Sequence, residues 1–404
     1  MLHYFNPGHE TAVLNASPHY TPAANQVKMQ RDLAFLPAWY AGSSNDFVWI
    51  EDNLTADFIT SIEPLTHLAK AIGINDILDK KHLLSGIEVT PWGISPQVLK
   101  FFKILSDHHE LNLQLPQWKN EYSELCSRQT AKKSLEFIIK NQPEISTDIV
   151  PQFFTTIEDI ENAVVSSRVE LLAKAPYSSS GRGLLWLPPG KLHQSEKQII
   201  SGILKKQSFI SIEKVLNKQI DFAMLFHSDG LGKVEFTGLS LFETNKKGVY
   251  DKNILISQDE IQNKLTACID VVLLEEVKNT LILFLSQTFG CVYKGCIGID
   301  MMIYADSSLR GAKQRNNLLH PCVEINMRNT MGLLSFRLYQ HFFCEGSTGY
   351  FKIDFSNKPG ELLQKHREMQ RLYPAEFANE KIKSGYLSLC PVKEDSKYWA
   401  YIKV

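Results

Sequence analysis

Apolar positions along this chain recur with two periods, and the switches between them predict the elements. Ala131, Leu135, Ile138 and Ile139 stand three and four apart, which predicts a helix opened by Ser127-Arg128-Gln129-Thr130 and stopped at Pro143. Thr155 or Thr156, with Glu158 or Asp159 at the matching capping-box position, predicts a second helix. Short apolar runs at 2–5, 47–50, 150–154, 171–175 and 208–216 read as strands, the last broken at Asn217-Lys218. Residues 221–226 alternate loosely, and Asp229-Gly230 turns them into a strand over 233–241.

Pro18, Pro22 and Pro37 cut the stretch after the first strand into short pieces. From 64 to 102 the pattern is mainly helical with turns. Pro91-Trp92-Gly93-Ile94-Ser95-Pro96 interrupts it, and Pro96 suits the first turn of a helix through Phe101 and Phe102. Residues 259–290 read as a long helix broken near Asn279. Strands follow at 298–304 and 321–326, joined over 305–320 by a basic, solvent-facing loop that holds no expected chemistry. An amphipathic helix over 331–343, a strand over 350–355, a charged helix over 359–373 and an edge strand over 398–402 complete the pattern. No internal repeat and no low-complexity linker interrupt it.

A chain of 404 residues exceeds what one core usually organises, so two or three domains are expected. Lys and Arg number 43 against 44 Asp and Glu, a balance that offers no global field for nucleic acid. The opening Met-Leu-His-Tyr-Phe-Asn-Pro lacks the pattern of a signal peptide, and no apolar run is long enough to cross a bilayer. Seven scattered cysteines without a Cys-x-x-Cys pair fit a reducing, cytoplasmic setting. Cys291, Cys296 and Cys322 come nearest to a metal cluster, but their apolar surroundings favour buried structural thiols over zinc.

The chemistry gathers in two distant stretches. Lys174 ends an apolar run and is followed by Ser178-Ser179-Ser180-Gly181-Arg182-Gly183. Glycines let backbone amides turn inward, serines add donors, and two cations suit a polyphosphate, although a surface hairpin has the same composition. It is not a Walker A loop, because the lysine precedes the glycines. Far downstream, Asp300 lies on one strand and Glu324 and Asn326 on another. Residues two apart on a strand share a face, so Glu324 and Asn326 face one cavity while Val323 and Ile325 face the core. If the strands are neighbours, Asp300 completes a hard oxygen site for Mg²⁺; otherwise these are ordinary strand-end acids. Arg328 continues the spacing as a phosphate fork. His9 and Glu10 follow the first strand, where they either serve a site or cap a helix.

Taken together these motifs resemble the ATP-grasp superfamily, which includes D-alanine–D-alanine ligase, biotin carboxylase and glutathione synthetase. Glu324-Ile325-Asn326-Met327-Arg328 matches the family's Glu-x-Asn-x-Arg, and Asp300 in Gly-Ile-Asp-Met-Met matches its preceding carboxylate strand. The resemblance implies a small N-terminal α/β domain and two α+β lobes enclosing ATP. Its boundaries here are 1–120 for the N-terminal domain, 121–212 and 213–345 for the lobes, and 346–404 for a C-terminal extension packed on the second lobe. It implies metal ligands at Asp300, Glu324 and Asn326, and Arg328 near the transferred phosphoryl. Lys174 and the loop from Ser178 through Ser179, Ser180, Gly181 and Arg182 to Gly183 would hold phosphates. Glu213-Lys214-Val215-Leu216 resembles the hinge whose backbone meets adenine, with Asp221 or Glu213 near the ribose or the lysine-rich pocket. Arg128 stands where many members have lysine, which keeps the charge but changes its reach.

The Phe5-Asn6-Pro7 start and the Pro91-to-Ser95 block resemble a bacterial group within the superfamily and identify no substrate. The implied activity is ligation: ATP, with Mg²⁺ or alternatively Mn²⁺, activates a small carboxylate as an acyl phosphate for attack by an amine. A small-molecule kinase and a non-catalytic nucleotide-binding protein are the alternatives. His9, Glu10, Asn25 and Arg31 are the substrate-side candidates. Neither nucleic acid nor membrane is an expected partner, and the resemblance allows a homodimer.

Overall fold

The computed structural model describes residues 1–178, 181, 183–305 and 317–404. It has the α/β and α+β class expected, in two compact units that the chain visits alternately. One comprises 1–119, 251–261 and 328–404; the other comprises 120–250 and 262–327.

The first unit begins with β1 (Leu2–Tyr4), α1 (His9–Asn15), α2 (Ala24–Asp32), β2 (Phe47–Trp49) and α3 (Ala56–Ile62). It continues through β3 (Lys70–Ile72), α4 (Ile77–Leu84), β4 (Val89–Pro91) and α5 (Pro96–His109). The four strands form a parallel sheet in the order β3-β2-β1-β4. β3 and β4 fall inside the stretch that the sequence presents as mainly helical. At three residues each, they are too short for an alternating pattern to register. Ser95 caps α5, accepting from Val98 N, with Pro96 in the first turn as expected.

The second unit carries α6 (Glu121–Leu125), α7 (Arg128–Asn141), β5 (Gln152–Phe154), α8 (Ile157–Ser166), β6 (Leu171–Lys174) and β7 (Leu184–Leu187). Then come α9 (Gln194–Gln207), β8 (Ile210–Lys214), β9 (Asn217–Asp229) and β10 (Val234–Thr244). Asn217 and Lys218 thus open a strand, and the break falls one step earlier, at Val215-Leu216. The chain crosses to the first unit through β11 (Tyr250–Leu255) and α10 (Gln258–Thr266), then returns with α11 (Val271–Thr288), β12 (Lys294–Ala305) and β13 (Asn317–Asn326). The helical break expected at Asn279 lies instead at 267–270, where Asp270 caps α11 by accepting from Val272 N. β5-β8-β6-β7 make one sheet of this unit, and β13-β12-β9-β10 run consecutively in another.

The chain ends in the first unit with α12 (Met331–Phe342), β14 (Gly349–Phe355), α13 (Glu361–Leu372), β15 (Glu376–Ala378), β16 (Lys381–Ser384), β17 (Tyr386–Ser388) and β18 (Tyr398–Lys403). β18 pairs with both β14 and β17, so it is an interior strand and not the expected edge. Its Trp399, Ala400 and Ile402 are fully covered, which an edge strand would not achieve. Trp39 Nε1 donates to Leu389 O at 2.8 Å, and Asp32 accepts from Lys397 N and Tyr398 N. No helix among the described residues is long and apolar enough to cross a membrane.

Candidate functional site

Lys174 ends β6, in register with Ser211 of β8 and Leu184 of β7. Central placement in the sheet buries it, and its ammonium is ion-paired with Glu213 of β8. Ser211 Oγ donates to Lys174 O at 3.2 Å. Beyond Lys174 the chain loops out and closes on itself, Ala175 N donating to Gly183 O at 3.1 Å and Ser178 Oγ to Ala175 O at 3.1 Å. Gly181 has φ +73°, and a Cβ there would stand 2.6 Å from Gly248 O. Only glycine fits. Ser179, Ser180 and Arg182 lie outside the described residues.

Arg128 is the first residue of α7, behind the cap Ser127. It is buried, and its donor fork reaches two places: Nε donates to Ala175 O at 3.1 Å and Nη2 pairs with Glu324 Oε2 at 3.1 Å. Its backbone N also donates to Pro176 O. One guanidinium therefore joins the root of the Ser/Gly loop to the acidic strand.

β12 and β13 are neighbours, with Asp300 opposite Glu324 and Gly298 opposite Asn326. Asn326 Nδ2 donates to Asp300 Oδ2 at 3.2 Å. The described residues contain no cluster of three or more His, Cys, Asp or Glu able to hold a metal. The set here is two carboxylates and an amide, all hard oxygen donors, and it fits Mg²⁺. On the other side of β12, Asp300 faces Ala223 and Met302 faces Asp221 of β9. Asp221 accepts from Lys218 Nζ at 2.5 Å and from Thr244 Oγ1 at 2.8 Å, so parity puts it on the Asp300 face.

The register shifts between Asp300 and Met302, because between these pairs β13 has three residues, Pro321 to Val323, where β12 has one, Met301. Pro321, without an N–H, sits in this bulge. Two expectations are corrected by it. Val323 does not face the core; it is half-buried and lines a small cavity with Arg128, Ser211, Glu213, His320 and Cys322. His320, expected in a solvent-facing loop, is 3% exposed on β13, and its Nδ1 is buried without a hydrogen-bond partner. Burial pushes the imidazole down to about 4, Glu213 opposing and Lys174 reinforcing the shift. The sequence signal that could have found it is Leu318-Leu319-His320, a strand start hidden by the following proline.

The cysteine expectation holds for Cys296 and Cys322, which are buried, but Cys291 is exposed. Burial pushes the Cys322 thiol up to about 12, so it is inert. In the segment expected to be the hinge, Val215 N donates to Glu170 O and Lys214 Nζ pairs with Asp148.

In the first unit, His9 and Glu10 start α1 where β1 ends. Glu10 Oε1 accepts from Arg328 Nε at 2.5 Å. Burial would raise the Glu10 carboxyl, yet the Arg328 guanidinium holds it down at about 2. His9 Nε2 meets Ile94 O at 3.1 Å, and burial pushes the ring down to about 4. A Cβ on Gly93 would stand 2.3 Å from the His9 ring. Asn6 braces Gly93 by bonding both its N and its O. These residues cluster at the carboxyl ends of β1 and β4, the point where strand order reverses. Asn25 and Arg31 do not join them: Asn25 is exposed on α2, and Arg31 is paired with Asp52.

Solved structures align along the whole chain. N5-carboxyaminoimidazole synthetase from Staphylococcus aureus, complexed with ADP, is 13% identical with a TM-score of 0.47, covering 100% of this chain and 92% of that one. A biotin carboxylase–β-γ-ATP complex from Campylobacter jejuni is 10% identical with a TM-score of 0.48, covering 100% and 86%. N5-carboxyaminoimidazole ribonucleotide synthetase from Thermus thermophilus is 11% identical with a TM-score of 0.46, covering 100% and 93%. No protein-family model and no curated protein matches the chain.

Proposed function

We propose that the chain is an ATP-grasp-type ligase that activates a small carboxylate with ATP and joins it to an amine. One observation carries the reading: Arg128 bonds both the root of the Ser/Gly loop and Glu324. That single residue ties the buried Lys174 to the Asp300, Glu324 and Asn326 set. Cations and hard oxygen ligands within one site are what a metal-bound polyphosphate requires.

In this reading Lys174 and Arg128 donate to phosphate oxygens. The Ser/Gly loop, rooted at Ala175 and Gly183, lies over the phosphates and excludes water from a labile intermediate. Because Val215 N is turned to Glu170, the neighbouring backbone groups of Lys214 and Leu216 turn the other way, which suits the edge of a base. Asp300, Glu324 and Asn326 would hold Mg²⁺, which would supply positive charge to the polyphosphate. A substrate carboxylate oxygen attacks the γ-phosphorus, the bond to the bridging oxygen breaks, and ADP leaves. The amine then attacks the acyl carbon, loses a proton and expels phosphate. In the first unit, Arg328 and Glu10 offer a fork for a carboxylate and an acceptor for an ammonium.

The test is ADP and phosphate release with Mg²⁺ and ATP across a panel of carboxylates and amines, with the products identified by mass spectrometry. A joined product supports the reading, and a stable phosphorylated product replaces it with a kinase. Glu324→Gln should reduce Mg²⁺-dependent turnover at least about 100-fold, since it removes a charged metal ligand.

A further inference from the structure

The ion pair of Lys174 with Glu213 poses a difficulty for any nucleotide bound here. Both side chains are largely buried, at 6% and 15% exposure. When Lys174 turns to a phosphate, the Glu213 carboxylate loses its cation inside the protein, and an unpaired buried charge is strongly unfavourable. Something must take the place of the ammonium.

His320 is positioned to do so. The β13 bulge brings it into the cavity shared with Glu213, Ser211, Arg128, Lys132 and Cys322, where the charges of Glu213 and Lys174 act on its ring. Its Nδ1 is buried and has no hydrogen-bond partner, although an aliphatic side chain would fill the same space without leaving a polar atom unsatisfied. The cavity measures about 10 Å³. That is room for about one water and not for a nucleotide or other ligand.

Resting on the nucleotide reading above, we propose that His320 is a positioning residue that takes over Glu213 when Lys174 moves to the phosphates. Its Nδ1–H donates to the carboxylate that Lys174 releases. The imidazole is neutral, so it supplies a donor without adding a third cation beside Arg128 and Lys174. The ring contacts no reacting atom; it lowers the cost of freeing the lysine.

The test is titration of the full-length protein with the non-hydrolysable ATP analogue AMP-PNP in Mg²⁺, for the wild type, H320L, H320N, E213Q and E213Q/H320L. H320L should weaken binding about tenfold by removing a hydrogen bond to a charged group. H320N, whose amide reaches the Nδ1 position, should recover most of that loss. In the E213Q background, where no charge is left behind, H320L should change affinity less than about twofold. A purely structural role would give the same loss in both backgrounds, and that result overturns the inference, as does unaltered binding by H320L. On the unsubstituted protein, ¹⁵N resonances of the His320 ring should report a hydrogen-bonded Nδ1–H only after saturation. Ring resonances unmoved by bound nucleotide overturn the inference while leaving the nucleotide reading intact. Failure of the wild type to bind overturns both.

Discussion

Lys174 without Glu213 is a buried charge with no counter-ion, and Glu213 without Lys174 exchanges its cation for at most a neutral donor; that fixes how single substitutions behave. K174M keeps the length of the side chain and strands the carboxylate, so it should cost about 3 kcal/mol in urea unfolding. K174M/E213L should recover most of that cost, because two apolar groups replace the pair. Recovery would separate folding from function, since the double variant still lacks the ammonium proposed to bind phosphate.

Acid sensitivity follows from the same scale. His9 and His320 are each pushed down to about 4 by burial, against an ordinary value of 6.5. The unfolded chain takes up these protons as pH falls through about 6.5, and the folded chain only near 4. Stability is therefore complete above pH 6.5 and declines from there towards pH 4, by roughly 3 kcal/mol per histidine. Glu10, held at about 2 by Arg328, extends the decline from about pH 4.5 downward, because the unfolded chain takes up this proton first while the folded form keeps the charge that Arg328 stabilises. Urea midpoints measured from pH 8 to pH 4 check this. H9N or H320N should flatten the upper part of the curve.

At the scale of elements, the Ser/Gly loop depends on one backbone shape. G181A forces a Cβ against Gly248 O at a positive φ, so it should cost about 2 kcal/mol and raise KM for ATP more than it lowers kcat. Steady-state kinetics with thermal unfolding separates the two effects. The elements that form the site were mostly legible in the sequence. α7 announces itself by its cap and its three- and four-residue apolar steps, and β6, β8 and β12 by short apolar runs between polar punctuation. The acidic pair could be aligned because β12 and β13 are adjacent and antiparallel. His320 was not legible. Periodicity assumes an unbroken ladder, and the bulge at Pro321 changes which side chains share a face. β3 and β4 were lost for another reason, since three-residue strands carry no period. The position of β18 inside its sheet is set by β17, a partner that no local pattern names.

At the scale of the whole chain, the N-terminal parallel sheet and the C-terminal strands belong to one compact unit, although more than a hundred residues of the other unit lie between them. Asp32 accepts backbone N–H groups from Lys397 and Tyr398 and is paired with Lys28. D32A should therefore destabilise this unit by about 1 to 2 kcal/mol, two part-buried backbone donors losing their charged acceptor. Exchange of the Lys397 and Tyr398 amides, followed by mass spectrometry, would locate the damage.

The bond from Trp39 to Leu389 spans 350 positions in the sequence. A ribosome making this protein releases the indole long before its acceptor exists. Most of 120–327 can reach its contacts while synthesis continues, and the β1 sheet packs on its own helices through residues 2–111, but the surface around Trp39 and Asp32 must wait until the final strands emerge. A chaperone that shields the nascent N-terminal sheet should therefore raise the soluble yield, and slowed translation near the 3′ end of the message, which prolongs the wait, should lower it more than slowing at the codons for 120–327.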